Sequence, residues 1–308
     1  MGVFAGIDVA KASLVVALYP GQERLEVGND AKGHASLYRW LRRHGVERIL
    51  LESTGGYEQA VAVTLSAHWP VVRIAGHRAR AFAVALGRIA KTDPIDAATL
   101  AQLAAIVEGP VMTPPSPEEV RLQALVRRRE QLVGQRDDER RRLWQASEAF
   151  VRRSLQRQLR LLALEIARLD REIAACVPQC GDVRAQRLRQ VPGLGPVSVA
   201  TLMAFLPELG QLENRQISAL AGLAPYNSDS GKHQGVRRIR GGRGNVRRVL
   251  YMAAWSVVRH QPDFKARYAA LRMRGKCAKV ALVACMRVLL IRLNAMLRDG
   301  SEWRTLPA

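Results

Sequence analysis

The chain has 308 residues, of which 48% are hydrophobic and 24% charged, so it is large enough for two or three domains and too apolar to be disordered. Lys and Arg number 48 against 27 Asp and Glu, a formal net charge of +21. Such a balance indicates a polyanionic partner, and nucleic acid is the one we expect. The apolar stretch 280–297 contains Arg287 and Arg292, so it predicts a packed amphipathic helix rather than a membrane span.

The first 108 residues predict an α/β domain with a mixed sheet. β-prone runs and helical patterns alternate along this part of the chain. The predicted strands are 2–8, 13–19, 24–29, 46–53 and 69–75, and the predicted helices are 31–44, 55–68, 77–88 and 93–107. A proline-rich segment then marks the end of this domain.

Residues 116–177 predict a second, helical region. Its apolar residues step by four and three positions in an a/d seam about three heptads long. The seam consists of Leu155, Leu159, Leu162, Ile166, Leu169 and Ile173. Three arrangements fit this pattern: a helical hairpin, an intermolecular coiled coil, or a solvated helix in an ordinary bundle.

Residues 183–308 predict a mostly helical third domain. Within it, LRQVPGLGPVSVATLMAFL (188–206) has the pattern of a helix-hairpin-helix element, in which Gly193 and Gly195 expose backbone N–H groups to a DNA phosphate. The alternative is an αα-corner with a glycine turn.

A basic, glycine-containing run follows in the same domain. From Lys232 to Arg248 the chain carries no acid, which suits a loop laid along a phosphate backbone. The residues we predict to bind nucleic acid here are Lys232, Arg237, Arg238, Arg240, Arg243, Arg247 and Arg248.

Four acids in the first domain predict a metal site. Asp8 and Glu52 end two strands, and Asp93 and Asp96 share one face of a helix start. If the two strands are adjacent and parallel, all four carboxylates meet at the carboxyl edge of the sheet. Clustered carboxylates require a cation, and oxygen ligands select Mg²⁺ or Mn²⁺. Each acid alone has an ordinary structural role, and Asp93 in particular is a good helix cap.

The cysteines and histidines predict no metal site of their own. Their spacings match no zinc pattern, and we expect reduced core thiols. The cysteines are Cys176, Cys180, Cys277 and Cys285.

The motifs GIDVAK, LLESTGGYE, AKTDPIDAATLAQLA, VPGLGPVSVATLMAFL and AGLAPYNSDSGKHQGVRRIRGGRGNVRRVLYMAA together closely resemble those of the DEDD-type insertion-sequence transposases, the bridge-RNA-guided recombinases. The resemblance spans nearly the whole chain in the family's order. It implies a RuvC-like (RNase H-like) domain, a coiled-coil region and a C-terminal transposase domain.

The resemblance also implies the site residues. Asp8, Glu52, Asp93 and Asp96 match the metal ligands. Ser230, in NSDSGK, is the best match to the family's essential serine, with Ser228 as the fallback.

The partners implied are donor and target DNA, a guide (bridge) RNA and further copies of the chain, as a dimer or tetramer, without a membrane. We expect a bacterial cytoplasmic, nucleoid-associated protein. Because the acids and the serine lie on different domains, the resemblance implies a composite active site that forms only when the domains dock.

Two other functions fit the same residues. A RuvC-like junction nuclease would hydrolyse DNA with water and form no covalent protein–DNA adduct. A nucleic-acid-binding scaffold with a degenerate nuclease domain is the other, but such a protein has no reason to keep four costly clustered acids.

Overall fold

A computed structural model describes residues 2–88, 92–107, 111–227 and 235–305, and the chain forms two compact units, Met1–Pro115 and Ser116–Ala308. The three domains predicted at 1–108, 116–177 and 183–308 stay a prediction. The serines 228 and 230 and Lys232 lie outside the described residues.

The first unit is built on one five-stranded sheet with helices on both faces. The strand order is β3-β2-β1-β4-β5, with β1, β2 and β3 antiparallel and β1, β4 and β5 parallel. This mixed sheet confirms the predicted α/β class and is consistent with an RNase H-like domain. The strands are β1 (Val3–Val9), β2 (Ser13–Tyr19), β3 (Arg24–Gly28), β4 (Val46–Ser53) and β5 (Val71–Ala75). The helices are α1 (Ala31–Arg43), α2 (Gln59–Ser66), α3 (Gly76–Ala85) and α4 (Asp93–Ile106).

Alternating side chains along the central strand β1 divide the unit into two cores. Ala5, Ile7 and Val9 pack in a core with residues of α1 and α2. Phe4 belongs to the opposite face, where α3 and α4 pack. Asp8 follows Phe4 at the same period, so it lies on the face that carries α4.

The second unit begins with a helical hairpin of α5 (Pro117–Gln145) and α6 (Ala149–Cys176). Leu162 and Ile166 of the predicted seam are buried with Leu132 of α5, and the seam therefore faces a helix of the same chain. Ion pairs between the helices run from Arg121 to Glu172 and from Arg129 to Asp170. A hairpin within one chain, one of the three arrangements left open by the sequence, is therefore present.

The remainder of the second unit is a helical bundle with a small two-stranded ribbon. Its elements are α7 (Asp182–Arg189), α8 (Pro196–Phe205), α9 (Asn214–Leu220), β6 (Pro225–Tyr226), β7 (Arg238–Ile239), α10 (Gly244–His260), α11 (Pro262–Met273) and α12 (Ala278–Arg298). Buried residues of α8, α10 and α12 form its core.

Helix α12 is long and apolar enough to cross a membrane by length and composition, but half of its most apolar window is buried inside the protein. Asn294 within it is fully buried, accepts from the Gly210 N–H at 2.8 Å and donates to the Leu212 carbonyl at 2.8 Å. These bonds tie α12 to the loop before α9, so it is a core helix, as predicted. Cys277 at its N-cap is exposed, so the prediction that all four thiols lie in cores is wrong there.

Candidate active site

Asp8 and Glu52 lie side by side at the carboxyl ends of two parallel strands. Gly6 of β1 pairs with Leu50 of β4, and Ile7 pairs with Leu51, so the next step of the same register sets Asp8 beside Glu52. Residues in register on parallel strands point to the same face. The predicted adjacency of these two strands is therefore confirmed.

A glycine on β1 brings α4 against this edge. A methyl group at Gly6 would lie 2.1 Å from the backbone nitrogen of Ala101 and 2.3 Å from the carbonyl oxygen of Ala97. The α4 backbone thus runs directly over β1, at a distance that only glycine permits. The first turn of α4, with Asp93 and Asp96, is carried to the strand end in this way.

Asp8 is influenced by the other three carboxylates. The pKa of Asp8 is raised to about 6, and burial is the largest cause. The negative charges of Asp93, Asp96 and Glu52 act in the same direction, in that order of size. The carboxylate oxygens of the four acids are the type of ligand that a hard divalent cation prefers. The positive charge of such a cation would relieve the repulsion between the carboxylates. Among the described residues, however, no three side chains of Asp, Glu, His or Cys lie in an arrangement that could hold a metal ion.

The Glu52 carboxylate is packed against the start of α3. A methyl group at Gly76, the first residue of that helix, would lie 2.3 Å from Glu52 Oε1. Gly76 therefore leaves the room that the carboxylate occupies. No sequence pattern identifies Gly76 as special, because Glu52, which it contacts, lies 24 residues earlier in the chain.

The buried carboxylate of Glu58 holds the loop that follows Glu52. Glu58 Oε2 accepts from the backbone N–H of Gly56 at 2.8 Å and that of Thr54 at 3.2 Å, and Arg73 approaches Oε1 at 3.8 Å. Gly56 has a φ of +126°, which a helix does not accommodate. The helix predicted over 55–68 begins only at Gln59 for this reason.

Asn29 joins the loops that follow the two acid-bearing strands. Its Nδ2 donates to the carbonyl of Ala10 at 3.0 Å and to that of Tyr57 at 3.1 Å. Its Oδ1 lies 2.9 Å from Nε2 of the buried His34, so that ring nitrogen carries the hydrogen. Burial lowers the pKa of His34, which keeps the imidazole neutral. Sequence reasoning missed both Asn29 and Glu58, since neither stands in a chemical motif.

The second unit carries the predicted nucleic-acid-binding arginines in two different environments. Arg237, Arg238 and Arg240 are exposed around the short strand β7. Arg243 instead forms a two-pronged ion pair with Glu208, at 2.6 and 2.7 Å. These contacts do not test the predicted binding of nucleic acid.

Two further arginines of this run, Arg247 and Arg248, also have partners within the chain. Arg247 donates to the Gly241 carbonyl at 2.7 Å, and Arg248 lies 3.6 Å from Glu130. A hydrogen bond from Arg247 fixes a glycine turn, so this arginine has a structural task whatever else it binds.

The two glycines of the predicted hairpin differ in their surroundings. Gly193 has a φ of +97° and faces α10, where an added methyl would lie 3.1 Å from Cβ of Ser256. Gly195, the N-cap of α8, has open space around it. The helix-hairpin-helix assignment and its contact with DNA remain a prediction.

Two family models match the chain. Residues 5–148 match a model described as "Transposase", for the DEDD transposases of IS110, and residues 185–269 match the "Transposase IS116/IS110/IS902 family". The first match includes all four acids, and the second includes both serines and the basic run.

Named relatives agree with these models. The chain is 28% identical to the "Pilin gene-inverting protein" of Moraxella lacunata, over 96% of each chain. It is 34% identical to a "Probable family 20 transposase" of Pseudomonas aeruginosa, over 43% of this chain and 40% of the relative. It is 30% identical to an uncharacterized protein of insertion element IS110 from Streptomyces coelicolor, over 38% of this chain and 30% of the relative.

Proposed function

Because the chain belongs to the DEDD transposases of the IS110 type, we propose that it cuts and rejoins DNA with a carboxylate-held metal and a serine nucleophile. The transposase function is that of the family. The metal, the serine, the guide RNA and the oligomer are the proposal, and each has its own support.

The carboxylate edge of the first unit is the observation that carries the proposal. Asp8, Glu52, Asp93 and Asp96 would hold Mg²⁺, or Mn²⁺ in its place. When bound, such an ion stabilises charge that develops on the phosphate and activates an attacking hydroxyl. The protein would contribute to this chemistry by keeping the four carboxylates together at the edge of the sheet. The close packing of α4 on Gly6 supports this role.

The proposed nucleophile is the hydroxyl of Ser230, with Ser228 as the fallback. Its oxygen forms a bond to a DNA phosphorus, and the bond from that phosphorus to the 3′ oxygen breaks. The serine proton leaves to a nearby base, and the departing 3′ oxygen takes up a proton to become a hydroxyl. Because one phosphoester replaces another, the energy of the link is conserved and the step can be reversed to rejoin DNA.

Rejoining favours this chemistry over hydrolysis by a junction nuclease. The Moraxella relative, aligned over 96% of both chains, is named a gene-inverting protein, and an inverted segment must be joined again at both ends. A covalent serine link preserves the means to do so, whereas hydrolysis does not.

The nucleic acids would be held by the second unit. The exposed Arg237, Arg238 and Arg240 suit phosphates of donor and target DNA. A guide RNA is proposed from the family resemblance alone. A dimer or tetramer is proposed because recombination handles four strands.

The test uses the whole chain with Mg²⁺, end-labelled donor and target DNA, and the RNA encoded beside its gene. Products are separated on a denaturing gel with and without protease. We expect a labelled band that protease shifts, present in the unaltered chain and absent in Ser230→Ala and in Asp8→Asn.

Two outcomes would overturn parts of the proposal. An adduct that persists in Ser230→Ala and vanishes in Ser228→Ala moves the nucleophile to the fallback serine. Cleavage without an adduct, unchanged in both serine variants, establishes the hydrolytic nuclease instead. Omission of the RNA from a parallel lane tests the guide separately.

A further inference from the structure

Three arginines form a stripe along the outer face of α6. This arginine stripe, Arg153, Arg157 and Arg160, has the i, i+4, i+7 spacing of one helix face, and each member is exposed. Leu162 and Ile166, which are buried against α5, lie nine residues after Arg153 and Arg157. Nine residues are two and a half helical turns, so the stripe faces directly away from α5.

Most other arginines of the hairpin have acidic partners. Arg141 pairs with Asp138, Arg142 with Glu139, and Arg168 with Glu165. In contrast, α6 has no acid between Ala149 and Leu164, and no ion pair to the arginine stripe occurs in the described part of the chain. The three positive charges are left for a partner outside the chain.

Apolar side chains share this face with the arginines. Phe150 is 64% exposed and Leu161 is 59% exposed, although both are large. These two side chains lie eleven residues apart and form no continuous apolar patch, so the unpaired charge of the stripe carries the argument. The question is therefore which partner it contacts.

Charge decides between the two candidate partners. A second copy docked on this face by two-fold symmetry would bring like guanidinium groups together, which opposes association. A phosphate backbone instead pairs with each guanidinium through charge-assisted bonds. The stripe rises about 10 Å along the helix, or about three intervals of the 3.4 Å that separates the phosphates of one strand along the duplex axis, so each guanidinium can meet its own phosphate.

We propose that the arginine stripe, with Phe150 and Leu161 beside it, binds the backbone of duplex DNA without regard to sequence. The contact positions DNA on the hairpin, remote from the basic run of residues 232–248 in the sequence. The inference rests on the proposed function only in taking DNA as the nucleic acid.

The test compares two triple variants with the same loss of charge. One removes the arginine stripe, as Arg153→Gln, Arg157→Gln and Arg160→Gln. The control removes three arginines of the same hairpin that already have acidic partners, Arg141, Arg142 and Arg168, each replaced by Gln. Both are made in the Ser230→Ala chain without added metal, so that binding is measured apart from cleavage.

The readout is the affinity for a fluorescent random-sequence duplex of about 40 base pairs, between about 50 and 200 mM salt. We expect the stripe variant to lower the log–log salt slope by about 2 to 3, at about 0.9 for each phosphate that is no longer neutralised. At the low-salt end its affinity should fall at least about tenfold, while the control slope changes by less than about 1. Circular dichroism confirms that both variants keep their helices.

Three results would overturn the inference. If the stripe variant and the control variant had the same salt slope, the loss of affinity would come from net charge and not from the stripe. An unchanged slope in the stripe variant would remove DNA as the partner. An unchanged slope together with a smaller mass by light scattering would show that the face joins copies of the chain.

Discussion

Replacing Glu58 by Ala should loosen the loop beside Glu52 without removing any of the four proposed metal ligands. The change deletes the acceptor for the N–H groups of Thr54 and Gly56. Hydrogen bonds to a charged group contribute about 1.5–3 kcal/mol each. Because the loop borders solvent and water replaces part of the loss, we take the low end for both bonds, a total of about 3 kcal/mol.

Hydrogen exchange measures this effect where it occurs. A loss of about 3 kcal/mol corresponds to about a 100-fold faster opening, so the Thr54 and Gly56 amides should exchange about 100-fold faster in Glu58→Ala. Glu58→Gln keeps a neutral acceptor and should accelerate the same amides by only about tenfold. DNA cleavage should fall in the same order, since the loop carries the strand end that presents Glu52.

A matched control separates the loop bonds from the loss of charge. Glu26 on β3 is exposed, so Glu26→Ala removes the same charge and no loop bond. Its Thr54 and Gly56 amides should exchange at the original rates. Unchanged protection of these two amides in Glu58→Ala would refute the reasoning, whatever happened to cleavage.

Three further predictions concern packing and thiols. Gly6→Ala should lower the free energy of unfolding of the first unit by about 3 kcal/mol in urea denaturation, because the methyl meets helix backbone rather than a movable side chain. Gly134→Ala on α5, where the methyl meets open space, should instead stabilise the second unit by about 1 kcal/mol, and an equal loss in both variants would contradict the packing explanation. Iodoacetamide at pH 8 should label the exposed Cys277 first. Burial raises the pKa of Cys285 to about 11, so only about one Cys285 thiol in a thousand is ionised at this pH. Labelling of Cys277→Ser at the original rate would contradict this prediction.

The sequence predicted the sheet well because its signals are local. The runs 13–19 and 46–53 are apolar, bounded by turns, and became strands with those same bounds. The pairing of Asp8 with Glu52 then followed from the rule that sites gather at the carboxyl ends of parallel strands. The helix over 55–68 was predicted too long, because the pattern did not reveal that Gly55 and Gly56 adopt positive φ.

The parts of the site that could not be predicted depend on contacts distant in sequence. Asn29 bonds to carbonyls 19 residues before it and 28 residues after it, and no motif signals such a bridge. The need for glycine at position 6 arises only when α4, about 90 residues later, lies on β1. A glycine in a strand is compatible with a close backbone approach, but it does not identify the backbone that approaches.

These contacts explain how a strongly basic chain brings four anions together at one edge of a sheet. The acid-bearing strand and helix are in direct backbone contact, since Gly6 lets Ala97 and Ala101 of α4 lie on β1. Mutual repulsion among the carboxylates therefore acts on elements that cannot move apart without breaking a packed core. Burial is the largest cause of the raised pKa of Asp8, and the repulsion from the other three carboxylates adds to it. A bound cation would relieve that repulsion.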